Sequence, residues 1–264
     1  MQKAQAPARK SLTFNKNELK DVSIVISDVD YTLLDFDKGH QAGLSALAKA
    51  FGSDFSQEVD KMFNLILEGF RRPEAESWEK RSEFNYLISR VGTLRGLSDS
   101  GLNVWSREIL IILAAEKIQI HLTKEDVEAG RNAYWAAVSN EGTLYADAEI
   151  FLSLLQRLGL PLILMAGSDH ILRINDNLKL TYEPIFSEEY KRKRLQILPI
   201  HAQGIVIGDP IDKPDPRFFD KLFEEVRKIG DFRMRDVLVI GDSERNDLEG
   251  PRRLGCQTLL IKRS

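Results

Sequence analysis

Short, uninterrupted apolar runs, each followed closely by polar residues, constrain the fold of this chain more than any other feature. Runs of this length, rich in Val, Ile and Leu, are typical of strands buried on both faces, as in a parallel sheet. Four of them are followed within two residues by glycine or aspartate, where a chain leaves a strand through a tight turn. The runs cover residues 22–26, 162–165, 205–207, 237–240 and 258–261.

The segments between these runs have the apolar spacing of amphipathic helices. In residues 216–229, Phe218, Leu222 and Val226 recur on one helical face. Asp215 is well placed to cap this helix, and Pro216 suits its first position. Alternating strands and helices predict an α/β fold with a doubly wound, Rossmann-like parallel sheet.

The spacing of the strand ends is uneven. Lys213 and Asp242 lie 29 residues apart, a normal crossover, but Asp28 and Ala166 lie 138 apart. This crossover therefore carries about a hundred extra residues, more than a loop holds, and they have helical character. Val59, Met62, Phe63 and Ile66 form a stripe, residues 104–118 are apolar on nearly every side, and Thr123 with Asp126 resembles a capping pair. We therefore expect a polar tail at 1–20, core segments at 21–37 and 143–264, and a helical cap at 38–142.

Composition excludes several classes of protein. The chain has 264 residues, 37 basic and 40 acidic, so its net charge of −3 indicates neither a nucleic-acid partner nor a membrane surface. No apolar stretch is long enough to cross a bilayer. The single cysteine excludes an internal disulfide and a multi-cysteine zinc site. These features predict a cytoplasmic protein, and they do not indicate its oligomeric state.

Acidic residues collect where the predicted strands end. Asp28 and Asp30 follow the first strand, and Asp242 and Asp247 follow the fourth. Ligands of open α/β sheets bind at the carboxyl ends of strands, and neighbouring carboxylates favour a hard cation such as Mg²⁺. Lys213 precedes a helix start, a position that favours an anion. Each feature alone also fits a simpler interpretation: an Asp-rich turn, a helix cap or a solvated loop lysine.

The order of these motifs resembles the haloacid dehalogenase-like hydrolase superfamily, in its phosphatase branch with a helical cap inserted after the first motif. The resemblance is carried by Asp28-Val29-Asp30-Tyr31-Thr32, Lys213-Pro214-Asp215-Pro216 and Gly241-Asp242-Ser243-Glu244-Arg245-Asn246-Asp247. It implies a Mg²⁺-dependent phosphatase that acts on a small phosphorylated metabolite through an aspartyl-phosphate.

By position, the resemblance makes Asp28 the nucleophile and Asp30 the general acid and base. Lys213 would neutralise the phosphoryl group. An acid at position 30 favours phosphoryl transfer, since haloacid dehalogenases usually lack one there. The implied substrate-binding residues are Thr32, Gly167, Ser168 and Lys213. The implied metal ligands are Asp28, the backbone carbonyl of Asp30, Asp242 and Asp247, the last directly or through another ligand.

Three positions depart from the family pattern. Ala166 stands where a Thr or Ser hydroxyl usually binds the phosphoryl group, so we expect Ser168 and nearby backbone N–H groups to substitute. Tyr31 stands where glycine or asparagine is usual. The link at 187–204, which contains the basic run at 191–194, is longer than usual; we expect the run to be a solvated face, with a partner site as the alternative. These departures keep open a catalytically impaired binding or regulatory protein; a sugar phosphomutase, which shares the first half-reaction, is a further alternative.

Overall fold

The computed structural model describes residues 7–71, 82–87, 89–90 and 106–263. The chain divides into two compact units, each described here by itself. The core unit lies within Met1–Phe36, Gly142–Ser168 and Leu195–Ser264, and the helical unit within Asp37–Glu141 and Asp169–Arg194. The predicted core range 143–264 thus includes a segment, 169–194, that the structure groups with the helical unit.

The strands of the described residues are β1 (Ala8–Arg9), β2 (Ile24–Asp28), β3 (Leu162–Ala166), β4 (Leu172–Ile174), β5 (Leu180–Tyr182), β6 (Gly204–Ile207), β7 (Val237–Gly241) and β8 (Gln257–Ile261). Six of them form one parallel sheet in the core unit, in the order β1-β8-β7-β2-β3-β6. This arrangement confirms the predicted α/β fold, and all five predicted strands belong to it. The sixth, β1, was not predicted.

Helices account for most of the remaining described chain. They are α1 (Phe36–Phe51), α2 (Ser53–Arg71), α3 (Arg107–Ile118), α4 (Lys124–Glu141), α5 (Ala146–Leu158), α6 (Pro184–Gln196), α7 (Pro216–Ile229) and α8 (Glu249–Arg253), and residues 82–87 and 89–90 are also helical. Among the helices of the described ranges, none has both the length and the apolar character needed to cross a bilayer.

Successive side chains of a strand point to opposite sides of the sheet, and each side is buried by its own apolar cluster. On β2, Val25 packs in one apolar cluster with Phe151 of α5, whereas Ile26 packs in the other with Leu222 of α7. The predicted N-cap of α7 is confirmed: the Asp215 carboxylate accepts a hydrogen bond from the backbone N–H of Arg217, and Pro216 begins the helix. The sheet is thus covered on both sides, which places its ligand-binding edge at the strand ends.

The predicted polar tail is wrong for the described residues 7–20. Strand β1 pairs in parallel with β8, and Leu12 and Leu19 are buried in the core cluster. The backbone N–H of Leu12 donates to Asp147, at 2.6 Å. The segment 7–20 has four basic residues and no continuous apolar run, so its sequence does not reveal the two leucines that attach it to the core. Residues 1–6 lie outside the described residues.

The helical unit contains the helices that the apolar stripes predicted. The Val59 stripe lies on α2, and the 104–118 prediction corresponds to α3, residues 104 and 105 being outside the described residues. The Thr123–Asp126 capping pair is confirmed, because each side chain accepts a hydrogen bond from the other's backbone N–H. The unit also holds an antiparallel hairpin, β4 with β5, that was not predicted.

The basic run at 191–194 is not a solvated face, and that prediction is wrong for two of its four residues. Lys191 and Arg194 are 1% and 4% exposed. Both donate to Asp169: the Lys191 ammonium at 2.7 Å and the Arg194 guanidinium at 2.9 and 3.1 Å. The run lies on α6, where residues three apart share a face, so one face of this helix carries the buried ion pairs.

Candidate active site

The site begins at the carboxyl end of β2, where Asp28 is the last residue of the strand and is 5% exposed. Its carboxylate accepts two hydrogen bonds: Oδ2 from the Thr32 hydroxyl at 3.0 Å, and Oδ1 from the Lys213 ammonium at 2.7 Å. Thr32 is fully buried. The turn after the strand and the loop after β6 thus hold one carboxylate in place.

Tyr31 adopts a backbone conformation that glycine and asparagine adopt more readily. Its backbone lies in the left-handed region, with φ of 63°, a conformation that disfavours most side chains. Its N–H donates to the carbonyl of Leu34 at 2.9 Å, and its ring lies 5.6 Å from that of Phe36. The half-buried tyrosine thereby closes the turn that contains Asp30.

Lys213 links the two acidic strand ends. Its ammonium donates to Asp247 Oδ1 at 2.7 Å as well as to Asp28, and its side chain is only 8% exposed. Burial alone would lower the pKa of Lys213, but the carboxylates of Asp247, Asp28 and Asp212 outweigh it and raise that pKa well above its usual value. The lysine is therefore a buried cation among acids, and the solvated-loop alternative does not apply.

Asp247 is held in the turn that follows β7. Its Oδ2 accepts the backbone N–H of Ser243 at 2.9 Å. Gly241 makes room for it, because a Cβ at that glycine would lie 2.4 Å from the Asp247 Cβ. The alternative that Asp247 caps the next helix is not what the structure shows, since the N-cap of α8 is Leu248 and no side chain caps that helix.

Three carboxylates from these strand ends form one cluster. Asp28, Asp242 and Asp247 each offer an oxygen within 4.8 Å of the others. Burial raises the pKa of Asp28 to about 7, with Asp247 adding to this and Lys213 opposing it. Burial also raises the pKa of Asp242 to about 8, with Asp28 and Asp247 adding to it. A divalent cation suits such a cluster, because its charge favours the ionised form of the carboxyl groups and their oxygens are hard ligands. The carboxylate of Asp30 lies outside this cluster, and the predicted ligand there was its backbone carbonyl.

The end of β3 contains the residues predicted to replace a missing hydroxyl. Ala166 is fully buried at the last position of the strand, and Gly167 and Ser168 follow it. The Ser168 hydroxyl donates to Asp209 Oδ1 at 2.7 Å, and its backbone N–H donates to Asp212 Oδ2 at 3.0 Å.

Asp209 and Asp212 were not predicted from the sequence as residues of the site. Both follow β6, whose end lies beside that of β3 in the sheet. The rule that singled out Asp28 and Asp242, acids close after a buried strand, would have found Asp209, whereas Asp212 stands five residues after β6 and has no such signal.

Comparison with known proteins gives the family. A family model described as haloacid dehalogenase-like hydrolase matches residues 22–255. The solved structure of the hydrolase YfnB from Bacillus subtilis, bound to magnesium, is 17% identical, with a TM-score of 0.56, covering 90% of this chain and 86% of that chain. A structure described as a β-phosphoglucomutase from Thermotoga maritima is 14% identical, with a TM-score of 0.52, covering 92% and 87%.

Comparison with curated protein sequences found no match. The structural similarities, at these low identities, show a shared fold. The family model spans most of the sequence and includes every site residue described above; the last strand, Gln257–Ile261, lies beyond it. The chain therefore belongs to the haloacid dehalogenase-like hydrolases.

Proposed function

We propose that this hydrolase is a Mg²⁺-dependent phosphatase of small phosphorylated metabolites that works through an aspartyl-phosphate. The observation that carries the proposal is the Asp28 carboxylate, buried at a strand end and held by both Thr32 and Lys213. A nucleophile oriented from two sides is what an in-line displacement at phosphorus requires. The presence of Asp30 two residues later supports a phosphate ester as the substrate.

In the first half-reaction, an oxygen of Asp28 attacks phosphorus and the bond between phosphorus and the ester oxygen breaks. Asp30 donates a proton to the departing alcohol. In the second half-reaction, Asp30 takes a proton from water, the water oxygen attacks phosphorus, and phosphate leaves with Asp28 regenerated. Lys213 balances charge on the phosphoryl oxygens in both steps.

Asp28 and Asp242 would hold Mg²⁺ in this proposal, together with the backbone carbonyl of Asp30. Asp247 would join them directly or act through another ligand; its two oxygens accept hydrogen bonds from Lys213 and Ser243, as those of Asp28 do from Lys213 and Thr32. When bound, Mg²⁺ supplies charge that keeps Asp28 ionised and offsets the phosphoryl charge. The roles of the helical unit as a substrate-selecting cap and of Gly167 in substrate binding stay predictions.

Phosphate release from an aryl phosphate, measured with Mg²⁺ and with excess chelator, tests this proposal. We expect release with Mg²⁺ and none above background with chelator. Asp242→Asn should need a much higher Mg²⁺ concentration, because it removes one charged ligand of the cluster. Asp231→Asn, at an exposed position of the same unit, is the matched control. Undiminished release in chelator, with metal content checked by elemental analysis, would contradict the proposal.

A second candidate, a binding or regulatory protein that has lost catalysis, is favoured by Ala166. Losing one preorganised donor to the phosphoryl group typically costs a factor of about 10²–10³ in rate. Trapping of a phosphoenzyme by rapid quench distinguishes the two candidates, since a non-catalytic protein forms none. Analysis of products from a sugar phosphate tests the phosphomutase alternative, which returns the phosphoryl group to the sugar instead of releasing it.

A further inference from the structure

Asp212 occupies an unusual position directly before Lys213. Its Oδ2 accepts the backbone N–H of Ser168 at 3.0 Å, and its Oδ1 accepts the backbone N–H of Lys213 at 2.7 Å. One carboxylate therefore takes a main-chain donor from the turn after β3 and another from the loop after β6. Backbone N–H groups at strand ends are the groups by which such folds bind anions.

Two glycines leave the space in which this carboxylate lies. A Cβ at Gly208 would lie 2.1 Å from Asp212 Oδ1, a distance at which the side chain would have to move. A Cβ at Gly167 would lie 3.4 Å from Asp212 Oδ2, at van der Waals contact. The backbone at the ends of β3 and β6 thus forms a cradle that fits a carboxylate closely.

The cradle also engages the side chain of Ser168. The Ser168 hydroxyl donates to Asp209 at 2.7 Å, so the N–H and the O–H of this residue both donate to carboxylates of the same loop. Ser168 is the residue expected to bind the phosphoryl group in place of the missing hydroxyl at Ala166. Its two donors therefore already bind anionic oxygens that belong to the protein itself.

We infer that Asp212 is an internal competitor for the phosphoryl group, which weakens the retention of the phosphate product; this inference rests on the proposed function. A phosphoryl oxygen that binds the Ser168 N–H must first displace the Asp212 carboxylate. Inorganic phosphate makes no contacts beyond the phosphoryl site to compensate for this displacement, whereas an ester also binds through its alcohol part. The displacement costs phosphate and ester the same free energy, so the Asp212 carboxylate weakens the binding of both, and only the ester has further contacts that offset the loss.

The test compares phosphate binding by the full-length protein and three variants in the presence of Mg²⁺. Asp212→Ala removes the competing carboxylate, and Asp212→Asn keeps its shape without its charge. Asp215→Asn is the matched control: it removes one charge from the same loop and keeps the N-cap of α7, which Asn provides as well as Asp. Calorimetric titration with inorganic phosphate gives its Kd, and inhibition of aryl phosphate hydrolysis gives its Ki.

Asp212→Ala should tighten phosphate binding by about 10- to 100-fold, because phosphate can then accept the charge-assisted hydrogen bond from the Ser168 N–H without displacing a carboxylate. Asp212→Asn should tighten it less, and Asp215→Asn should match the wild type. Thermal unfolding establishes that each variant folds, and either Asp212 variant suffices if the other does not.

Three results distinguish the inference from the proposed function. Unchanged or weaker phosphate binding in the folded Asp212 variants overturns the inference, and continued hydrolysis by the wild type leaves the proposed function standing. Tighter binding in those variants supports the inference even if turnover is absent, a result that counts only against catalysis. No phosphate binding by any variant, with no turnover, overturns both.

Discussion

The core unit and the helical unit both bury charged side chains, but they arrange them in opposite ways. In the core unit, Lys213 is the cation among the carboxylates of Asp28, Asp242 and Asp247, so acids are in excess. In the helical unit, Lys191 and Arg194 both pair with Asp169, so cations are in excess there. The first arrangement leaves charge for a ligand to neutralise.

Other buried cations of the helical unit also have partners within that unit. Arg131 pairs with Glu108 at 3.3 Å, and Glu108 also accepts from the Ser106 hydroxyl at 2.6 Å. The Arg107 guanidinium lies over the rings of Phe63, Tyr134 and Trp135, at 4.5, 4.7 and 5.4 Å from their centroids. Aromatic faces attract cations, and this attraction strengthens when both are desolvated. We therefore expect charge removal to affect activity in the core unit and stability in the helical unit.

Asp28→Asn should have the largest effect on function. It removes the proposed nucleophile, so phosphoenzyme formation and turnover should both be lost. Its free energy of unfolding should stay the same or rise at pH 8, because burial makes the charged form of this aspartate costly. Asp30→Asn is the matched variant: a lost general acid lowers the rate by about 10²–10⁴ while phosphoenzyme can still form. Full turnover by Asp28→Asn would refute the assigned role.

Asp169→Asn should have the largest effect on stability. It leaves Lys191 and Arg194 buried without their shared counter-charge, and breaking a buried ion pair in this way costs about 3–5 kcal/mol. Denaturant unfolding measures this loss. The control is Asp176→Asn. Asp176 pairs with Lys124, but its side chain is 92% exposed, so this ion pair should contribute less than about 1 kcal/mol. Equal losses in the two variants would show that the buried pairs are not what stabilises the unit.

Acid should destabilise the helical unit through His40. Its Nε2 lies 3.1 Å from an Asp60 carboxylate oxygen and its Nδ1 lies 2.5 Å from the Tyr134 hydroxyl oxygen; the neutral ring satisfies both by donating to Asp60 and accepting from Tyr134. Burial lowers its pKa to about 4, with Arg107 adding to this and Asp60 opposing it. Because the unfolded chain takes up the proton first, this stability is complete above about pH 6.5 and is lost as pH falls towards 4, up to about 3 kcal/mol.

Thermal unfolding between pH 7 and 4 checks the His40 prediction. His40→Gln should show a flatter dependence of Tm on pH than the wild type, because glutamine does not titrate in this range. His121→Gln, at an exposed position of the same unit, is the control and should keep the wild-type slope. Glu108, whose pKa is raised by burial, acts in the opposite direction in all three proteins. Identical slopes for His40→Gln and wild type would exclude His40 as the source.

The smallest expected effect compares two helix ends. Helix α5 of the core unit ends at Gly159 and helix α3 of the helical unit ends at Gln119, both in the left-handed conformation. Gln119→Gly should therefore stabilise the protein by about 0.4–1 kcal/mol, and Gly159→Ala should destabilise it by about 1 kcal/mol. A Cβ at Gly159 meets nothing within 4 Å, so conformation alone determines that change. Opposite signs in denaturant unfolding would confirm it, and a destabilised Gln119→Gly would contradict it.

Much of the fold followed from local patterns in the sequence. The apolar runs located five strands of the parallel sheet, and Asp215 with Pro216 located the start of α7. Such signals depend on neighbours in the chain, so they can be recognised without the fold. The acids after β2 and β7 could be placed together because parallel strands end at one edge of the sheet. The three-residue strands β4 and β5 were missed, since an alternation over three residues cannot be distinguished from chance.

The sequence alone determined the fold class, the family and the strand ends where the acidic and basic groups of the candidate site lie. Only the tertiary structure decided which charges are buried and what each one contacts. Lys191 and Arg194 look like solvated basic residues in the sequence, and Asp212 looks like an ordinary loop acid. Their partners Asp169 and Ser168 are distant in the chain, and burial depends on what the whole fold packs around a side chain. That information has no local signature, because a charge costs little in water and much in an interior, whatever its neighbours in sequence.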